Sequence, residues 1–372
     1  MRIAIDARFA NLKVGIGRVA YSLTKELLLI DDENQYIVLL GKDDPFEDIN
    51  KKNVKKIRNA FSTKKKLTWQ FIYLPYILKK EKVDIFLSTE NFIIPPFFKG
   101  KTILTIHDLI PIVFKEYLQN KISPYKFKVF MSKIFPPEKI MTVSKFSKDE
   151  IKRILQIPDN KIFIIKEALD KRLKDISNDN EIIKNFDIEK PYILGIGGME
   201  LRKNNKTLIS AFIDMIEENS ELKHNLVIIG KLYSKKIPMD ERKVPEHLKE
   251  RIRFLGEVSD KELSVLYKNA DMFVYPSIYE GFGLPPLEAF RHKIPVITSE
   301  ITSIPEATKD GAILINPYEK DEIKDAMIKV IRNENLRKEL IKKGTKVLKD
   351  FDWNKSAQKL LKEIKKIHGE KR

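Results

Sequence analysis

Met272-Phe-Val-Tyr275-Pro-Ser277-Ile-Tyr-Glu280-Gly-Phe-Gly283-Leu-Pro-Pro-Leu-Glu288-Ala289 reads as a short apolar strand, a glycine-bearing turn and the start of a helix. The unbroken apolar run Met272–Tyr275 suits a strand covered on both faces. Gly281 and Gly283 permit close backbone approach in the turn. The helix start that follows offers unpaired N–H groups that suit a phosphate. Glu280 and Glu288 are eight residues apart, about two helical turns. One carboxylate at the loop mouth and one on the helix are therefore available to sugar and ribose hydroxyls on either side of a diphosphate. An ordinary strand-to-helix turn with surface glutamates is the plainer alternative, and the specific spacing counts against it.

The same strand–turn–helix pattern repeats in both directions. Strand candidates flanking this stretch are Tyr192–Gly197, Leu226–Gly230, Ile252–Leu255, Pro295–Thr298 and Ala312–Ile315, with helices near 205–217, 260–269 and 284–292. The first half repeats it with Ile3–Asp6, Tyr36–Leu40, Asp84–Ser88, Thr102–His107, Lys139–Val143 and Ile162–Lys166, and with helices at 18–29 and 67–80. Alternation of this kind predicts α/β architecture with parallel sheets and right-handed crossovers. Between the halves, residues 171–190 are polar and pattern-free and end at Pro191. The expectation is two tandem Rossmann-like domains, 1–170 and 191–372, joined by that linker. Sheets of this type bind ligands beyond the carboxyl ends of their strands, so functional residues are expected in the loops just after strands.

Several of those loops carry a family pattern. The segment Glu280–Glu288 resembles the E-x7-E motif of glycosyltransferase family 4, retaining enzymes of the GT-B fold. In family order along nearly the whole chain, Gly15-Ile-Gly17-Arg18 looks like the N-terminal glycine loop. Thr105-Ile-His107-Asp108-Leu-Ile-Pro111 looks like the HDL segment, Thr142-Val-Ser-Lys-Phe-Ser147 like the TVSxFS strand end, and Gly197-Gly-Met-Glu-Leu-Arg202-Lys203-Asn204 like the RKN segment. The resemblance implies a GT-B fold, with parallel sheets facing a central cleft, an acceptor-binding N-terminal domain and a donor-binding C-terminal domain. It also allows the final helix to cross back to the first domain.

The implied activity is metal-independent transfer of a hexose, with retention, from a nucleotide sugar. The catalytic candidates are His107, beside the transferred sugar, and Glu280, on its hydroxyls. The donor-binding candidates are Gly17, Arg202, Lys203, Val258, Phe282, Gly283, Leu284 and Glu288. Of these, Arg202 and Lys203 would stabilise the diphosphate, a role that suits donors able to meet charge developing on a leaving group. Basic residues at a helix start oppose its dipole, which favours a bound anion there. Glu288 would hold the ribose, Val258 the base, and Phe282–Leu284 the sugar and phosphates through their backbone. Asp108 is expected to tie down its turn. The HDLIP and RKN forms resemble mannosyltransferases, which favours GDP-mannose over UDP-sugars; a glycan, a lipid-linked glycan or a small molecule all fit as acceptor.

Composition bounds the alternatives. The 372 residues contain no cysteine, which excludes thiol nucleophiles and thiolate metal sites and fits a reducing cytoplasm. Five histidines without paired ligand spacing supply no metal site. The net charge of +17 is uneven: residues 1–170 hold 31 basic against 20 acidic residues, and 51–80 hold ten Lys/Arg and no Asp or Glu. Such an excess points to an anionic partner, and the aromatic-basic stretches 51–80 and 114–135 are candidates for contact with an anionic membrane surface; no nucleic-acid partner is expected. A core crossover helix with a solvated lysine rim explains the same residues. Two further classes stay open at this point. Gly15-Ile-Gly17-Arg18-Val-Ala20 fits G-x-G-x-x-A, so a dinucleotide-binding oxidoreductase is one, although the first glycine lies too far beyond Asp6 for that fingerprint. A non-catalytic basic protein binding membrane or nucleic acid is the other.

Overall fold

The computed structural model describes residues 1–12, 15–58, 68–114, 129, 132–170, 180–198, 200–231 and 244–369. The chain separates into two units, one formed by Met1–Asp170 with Phe351–Arg372 and the other by Lys171–Asp350.

Unit 1 is built on seven parallel strands: β1 Arg2–Asp6, β2 Gln35–Leu40, β3 Val54–Arg58, β4 Ile85–Asn91, β5 Lys101–Thr105, β6 Lys139–Thr142 and β7 Ile162–Ile164. Their order is β3-β2-β1-β4-β5-β6-β7. The central strands are apolar on both faces, and Ile3, Ala4, Ile5, Phe86, Ile103 and Leu104 are fully buried. On one face Trp69, Leu74, Ile77 and Leu78 pack against Ala4, Leu39 and Phe86, which makes the segment 68–80 a crossover with a buried side.

β3 lies in a stretch with no strand expected from sequence. Its residues Val-Lys-Lys-Ile-Arg interrupt the apolar run with cations, and it is half-exposed at the sheet edge. Lysines there discourage pairing with another chain. The lysines of this region also find acids outside it: Lys51 pairs with Asp32 at 2.7 Å, Lys55 with Glu81 at 2.8 Å and Lys56 with Asp44 at 3.2 Å. Part of the basic excess of 51–80 is therefore neutralised within the unit. Residues 59–67, and most of the second stretch 114–135, lie outside the described residues.

The final helix, Trp353–Gly369, belongs to unit 1. Trp353 donates through its indole N–H to the Leu169 carbonyl at 3.1 Å, and Ser356 donates to the Lys166 carbonyl at 2.7 Å. The second unit thus ends at Asp350 rather than at 372. Of the expected linker, 171–179 lie outside the described residues. In the remainder, Asn180–Asn185 forms a helix with Ile183 buried, and Ile188 beyond it is buried as well.

Unit 2 has six parallel strands, β8 Tyr192–Ile196, β9 Asn225–Ile229, β10 Ile252–Gly256, β11 Met272–Tyr275, β12 Val296–Ser299 and β13 Ile313–Ile315, ordered β10-β9-β8-β11-β12-β13. Its core gathers Ile193, Leu226, Ile228, Met272 and Val274 under Leu208, Phe212 and Met215 of the helix Asn205–Glu218. In both units the winding reverses next to the first strand, between β1 and β4 and between β8 and β11. The loops leaving those strands are where doubly wound sheets hold ligands.

Candidate active site

At the switch point of unit 2, the loop after β8 meets the loop after β11. Gly197, with φ 114°, makes the first possible: a Cβ there would lie 2.2 Å from Lys203 Cγ, so only glycine leaves the lysine room to fold back over the turn. The loops are knitted by backbone carbonyls that accept from a neighbouring amide and from serine hydroxyls. Ile278 N–H donates to Arg202 O at 2.8 Å, Ser277 Oγ lies 2.9 Å from the same carbonyl, and Ser303 Oγ lies 2.8 Å from Glu280 O and 2.9 Å from Phe282 O.

This frame aims Arg202, Lys203 and Glu280 at one point. Glu280 Oε1 accepts from Arg202 Nη1 at 2.8 Å, Lys203 Nζ at 2.7 Å and Tyr275 OH at 2.6 Å, and Ser277 Oγ stands 2.7 Å away. Lys203 also bonds the Tyr275 hydroxyl, and Arg202 Nη2 pairs with Glu200 at 2.9 Å. Burial pushes the Glu280 carboxyl up, but the Lys203 and Arg202 charges outweigh it and hold it at about 2. Burial lowers the Lys203 ammonium, with the Glu280 charge opposing it. Burial and the Glu280 carboxylate push the Tyr275 phenol well above its usual range, so it remains a donor. The two cations are matched by two carboxylates, yet the donors crowd onto a single oxygen. Such a cluster can exchange a carboxylate for a more highly charged anion.

The remaining donor-side candidates are placed less centrally. Gly283, with φ 116°, caps the helix Leu284–Arg291, whose first turn contains Pro285 and Pro286. These two prolines have no N–H, so the free backbone donors at this helix start are confined to its first residues. Phe282 is buried in the loop. Glu288 is buried farther along the helix and accepts from Tyr267 OH at 3.3 Å. Val258 is half-buried between β10 and Ser259, the residue that caps the helix Asp260–Asn269. Among the described residues no three His, Cys, Asp or Glu side chains gather as a metal site.

In unit 1, His107 stands two residues beyond β5, buried. Its Nδ1 is 3.3 Å from Glu167 Oε1 and its Nε2 3.0 Å from the Thr89 carbonyl. Asp108 accepts the Ile110 amide at 3.1 Å and so closes the turn. Gly17 departs from expectation. Gly15–Arg18 is the first turn of the helix Gly15–Ile30 rather than a loop, and a Cβ on Gly17 would meet Leu12 O at 2.2 Å and Phe9 O at 2.7 Å. The close approach that this glycine permits is made to the chain's own backbone. Tyr275, Ser277 and Glu167 were not among the candidates: a tyrosine ending an apolar strand reads as core, and a glutamate in a strand-end loop carries no signal until its partner is known.

Residues 14–172 match the family described as Glycosyltransferase Family 4, and residues 176–347 match Glycosyl transferases group 1. The chain is similar to O-antigen chain mannosyltransferase B of Escherichia coli, 28% identical over 360 residues that span 91% of this chain and 92% of that one. It is 32% identical over 222 residues to O-antigen chain mannosyltransferase RfbU of Salmonella typhimurium, spanning 60% of this chain and 58% of the relative. Sucrose-phosphate synthase from Thermosynechococcus elongatus has the same fold, with a TM-score of 0.73 at 16% identity over 99% of both chains. The two Rossmann-like sheets and these matches make the chain a GT-B-fold glycosyltransferase. Within that class it is related to the family 4 and group 1 enzymes and is homologous to bacterial mannosyltransferases. The oxidoreductase and non-catalytic readings fall with that membership.

Proposed function

We propose that the protein transfers a hexose, mannose in first place, from a nucleotide sugar to a glycan or lipid-linked acceptor, with retention and without a metal ion. The observation that carries this reading is the convergence of Arg202 and Lys203 on Glu280 Oε1 at the switch point of unit 2. When the bond from the sugar C1 to the diphosphate breaks, its electron pair passes to the phosphate oxygen. A guanidinium and an ammonium in a buried site meet that charge without a metal. The acceptor hydroxyl forms the new bond to C1, and its proton goes to the departing diphosphate. Glu280 then serves the hydroxyls of the donor sugar, Glu288 the ribose and Val258 the base, while the backbone of Phe282–Leu284 contacts the sugar and phosphates. The names of the O-antigen relatives favour mannose, and with it a GDP donor over a UDP donor.

The test is thermal stabilisation by GDP-, UDP- and ADP-sugars, with and without a chelator, since a ligand that binds only the folded state raises its stability. GDP-mannose is expected to give the largest shift, unchanged by chelation and absent in the Arg202→Ala/Lys203→Ala double variant. A shift that persists in that variant, or that needs divalent metal, overturns the reading.

Unit 1 is also proposed to rest on an anionic membrane as a peripheral protein of the cytoplasmic face. Supporting this, Ile72 and Tyr76 are exposed four residues apart in the crossover segment, with Lys79 and Lys80 in its last turn. Co-sedimentation with anionic vesicles but not with zwitterionic ones checks it, and loss of that preference in Ile72→Asn/Tyr76→Asn ties it to these residues.

A further inference from the structure

Glu167, in the segment after β7, plays no part in the transfer reading, yet it is buried against the one histidine that does. The two contacts of the His107 ring have a chemical consequence. A backbone carbonyl only accepts, so the Nε2 that faces Thr89 O at 3.0 Å carries a proton. A carboxylate also only accepts, so the Nδ1 that faces Glu167 Oε1 at 3.3 Å is hydrogen-bonded when it carries one as well. The ring lies between two acceptors, an arrangement that fits imidazolium and leaves neither nitrogen open to receive a proton.

The surroundings fix the ring in place. The His107 amide donates to Asn91 Oδ1 at 2.7 Å, and its carbonyl accepts from Ser147 Oγ at 3.0 Å. Thr89, whose carbonyl accepts the hydrogen bond from Nε2, is itself held, its hydroxyl donating to Asp6 O at 2.5 Å. Asp6 carries Arg8 through two bonds of 2.8 Å, and the Arg8 guanidinium lies 4.3 Å from the centre of the Trp69 ring. A buried polar lattice thus runs across the ends of β1, β4 and β5.

We propose that Glu167 is a positioning residue that keeps His107 doubly protonated, so that unit 1 presents a fixed positive charge at its strand ends instead of a proton acceptor. The charged groups acting on the ring are Glu167, from the segment after β7, and Asp108, from the loop after β5. β4 contributes the Thr89 carbonyl and the Asn91 amide, and the helix Lys145–Leu155 the Ser147 hydroxyl. Burial pushes the imidazole down, but the Glu167 contact, the Thr89 carbonyl and the Asp108 charge together outweigh it and the net direction is up. The charged form is therefore present below the raised value and lost only as pH rises through it, above the ordinary 6.5. The kinetic consequence rests on the transfer reading: the acceptor proton must leave by the diphosphate. The protonation state itself does not rest on it.

Nitrogen NMR of histidine-labelled full-length protein at pH 7.5 reads that state directly, with His107→Gln used to assign the signals. Both ring nitrogens of His107 are expected to be protonated, and a neutral ring in the unaltered protein overturns the proposal whatever the reaction proves to be. In Glu167→Gln the amide can donate to a neutral Nδ1, so turnover should fall at least about 20-fold between pH 6 and pH 8, the loss of charge over that range of a histidine at or below its ordinary value. The unaltered enzyme, whose imidazole is shifted upward, should lose less over the same range. The donor KM should stay within about twofold, and Glu167→Asp should restore part of the alkaline activity. A Glu167→Gln pH profile parallel to that of the unaltered enzyme also overturns the proposal. Should that variant fail to fold, the spectrum of the unaltered protein still decides the matter.

Discussion

At the strand ends of unit 2 several donors converge on one carboxylate oxygen, whereas at the strand ends of unit 1 one imidazole is divided between two acceptors. Both clusters are buried and both lie where doubly wound sheets place ligands. They differ in what they can exchange. Arg202 and Lys203 have more N–H groups than Glu280 Oε1 can take up, so an incoming diphosphate can replace a carboxylate without leaving a cation unpaired. The His107 ring has one partner at each nitrogen and nothing to trade. Charge exchange accordingly belongs to unit 2 and a fixed charge to unit 1.

The sharpest way to break this contrast is Glu280→Ala. It removes the common acceptor and leaves the buried Lys203 ammonium without its carboxylate while Arg202 keeps Glu200, a change expected to cost about 3–5 kcal/mol of stability, read as a lower midpoint in urea, together with loss of transfer. A variant of unchanged stability would mean that the cluster is not held by its carboxylate. The same residue gives a pH signature. Its folded value of about 2 lies below the ordinary 4.5, so its stabilising effect is complete above the ordinary value and is lost as pH falls through about 2. The stability gap between the natural protein and Glu280→Gln should therefore narrow between about pH 5 and pH 2, while staying flat at neutral pH.

Next in size are Arg202→Ala and Lys203→Ala, each expected to lower turnover by about 10²–10³-fold, the usual cost of one donor to developing charge. Arg202→Lys should recover only part of this, because a point charge cannot serve Glu200 and Glu280 from two nitrogens at once. Equal activity of the lysine and arginine forms would reduce the site to simple net charge.

The clusters also differ in how far they could be read from sequence. Arg202 and Lys203 are reached through the resemblance of their segment to the RKN pattern and Glu280 through its spacing from Glu288, all in loops just after strands that are legible from their unbroken apolar runs. Tyr275 and Ser277 lie in the same quoted stretch, but their role appears only once the loop after β8 is folded against them. Glu167 could not be read at all: it lies 60 residues from His107, and only the pairing of β5 with β6 and of β6 with β7 brings the two together. β3 was hidden by its own cations, and the lysines of 51–80 seemed unpaired because their acids, Asp32, Asp44 and Glu81, lie outside that window. Local pattern carries type and periodicity; partners distant in sequence must wait for topology.

The smallest expected effect separates two glycines that the family pattern treats alike. A Cβ on Gly15 would meet nothing within 4 Å, whereas one on Gly17 would lie 2.2 Å from Leu12 O. Gly15→Ala should therefore change stability by no more than about 0.5 kcal/mol, in the favourable direction if helix propensity acts at this first position. Gly17→Ala should cost about 1–3 kcal/mol, since backbone must move to admit the methyl group. Chemical denaturation of the two variants, with nucleotide-sugar affinity measured alongside, distinguishes packing from ligand contact. If Gly17→Ala loses stability but keeps its donor affinity, the glycine serves the rigid scaffold of unit 1. If affinity falls while stability holds, the contact with Leu12 is yielding and the glycine belongs with the exchangeable chemistry of the donor after all.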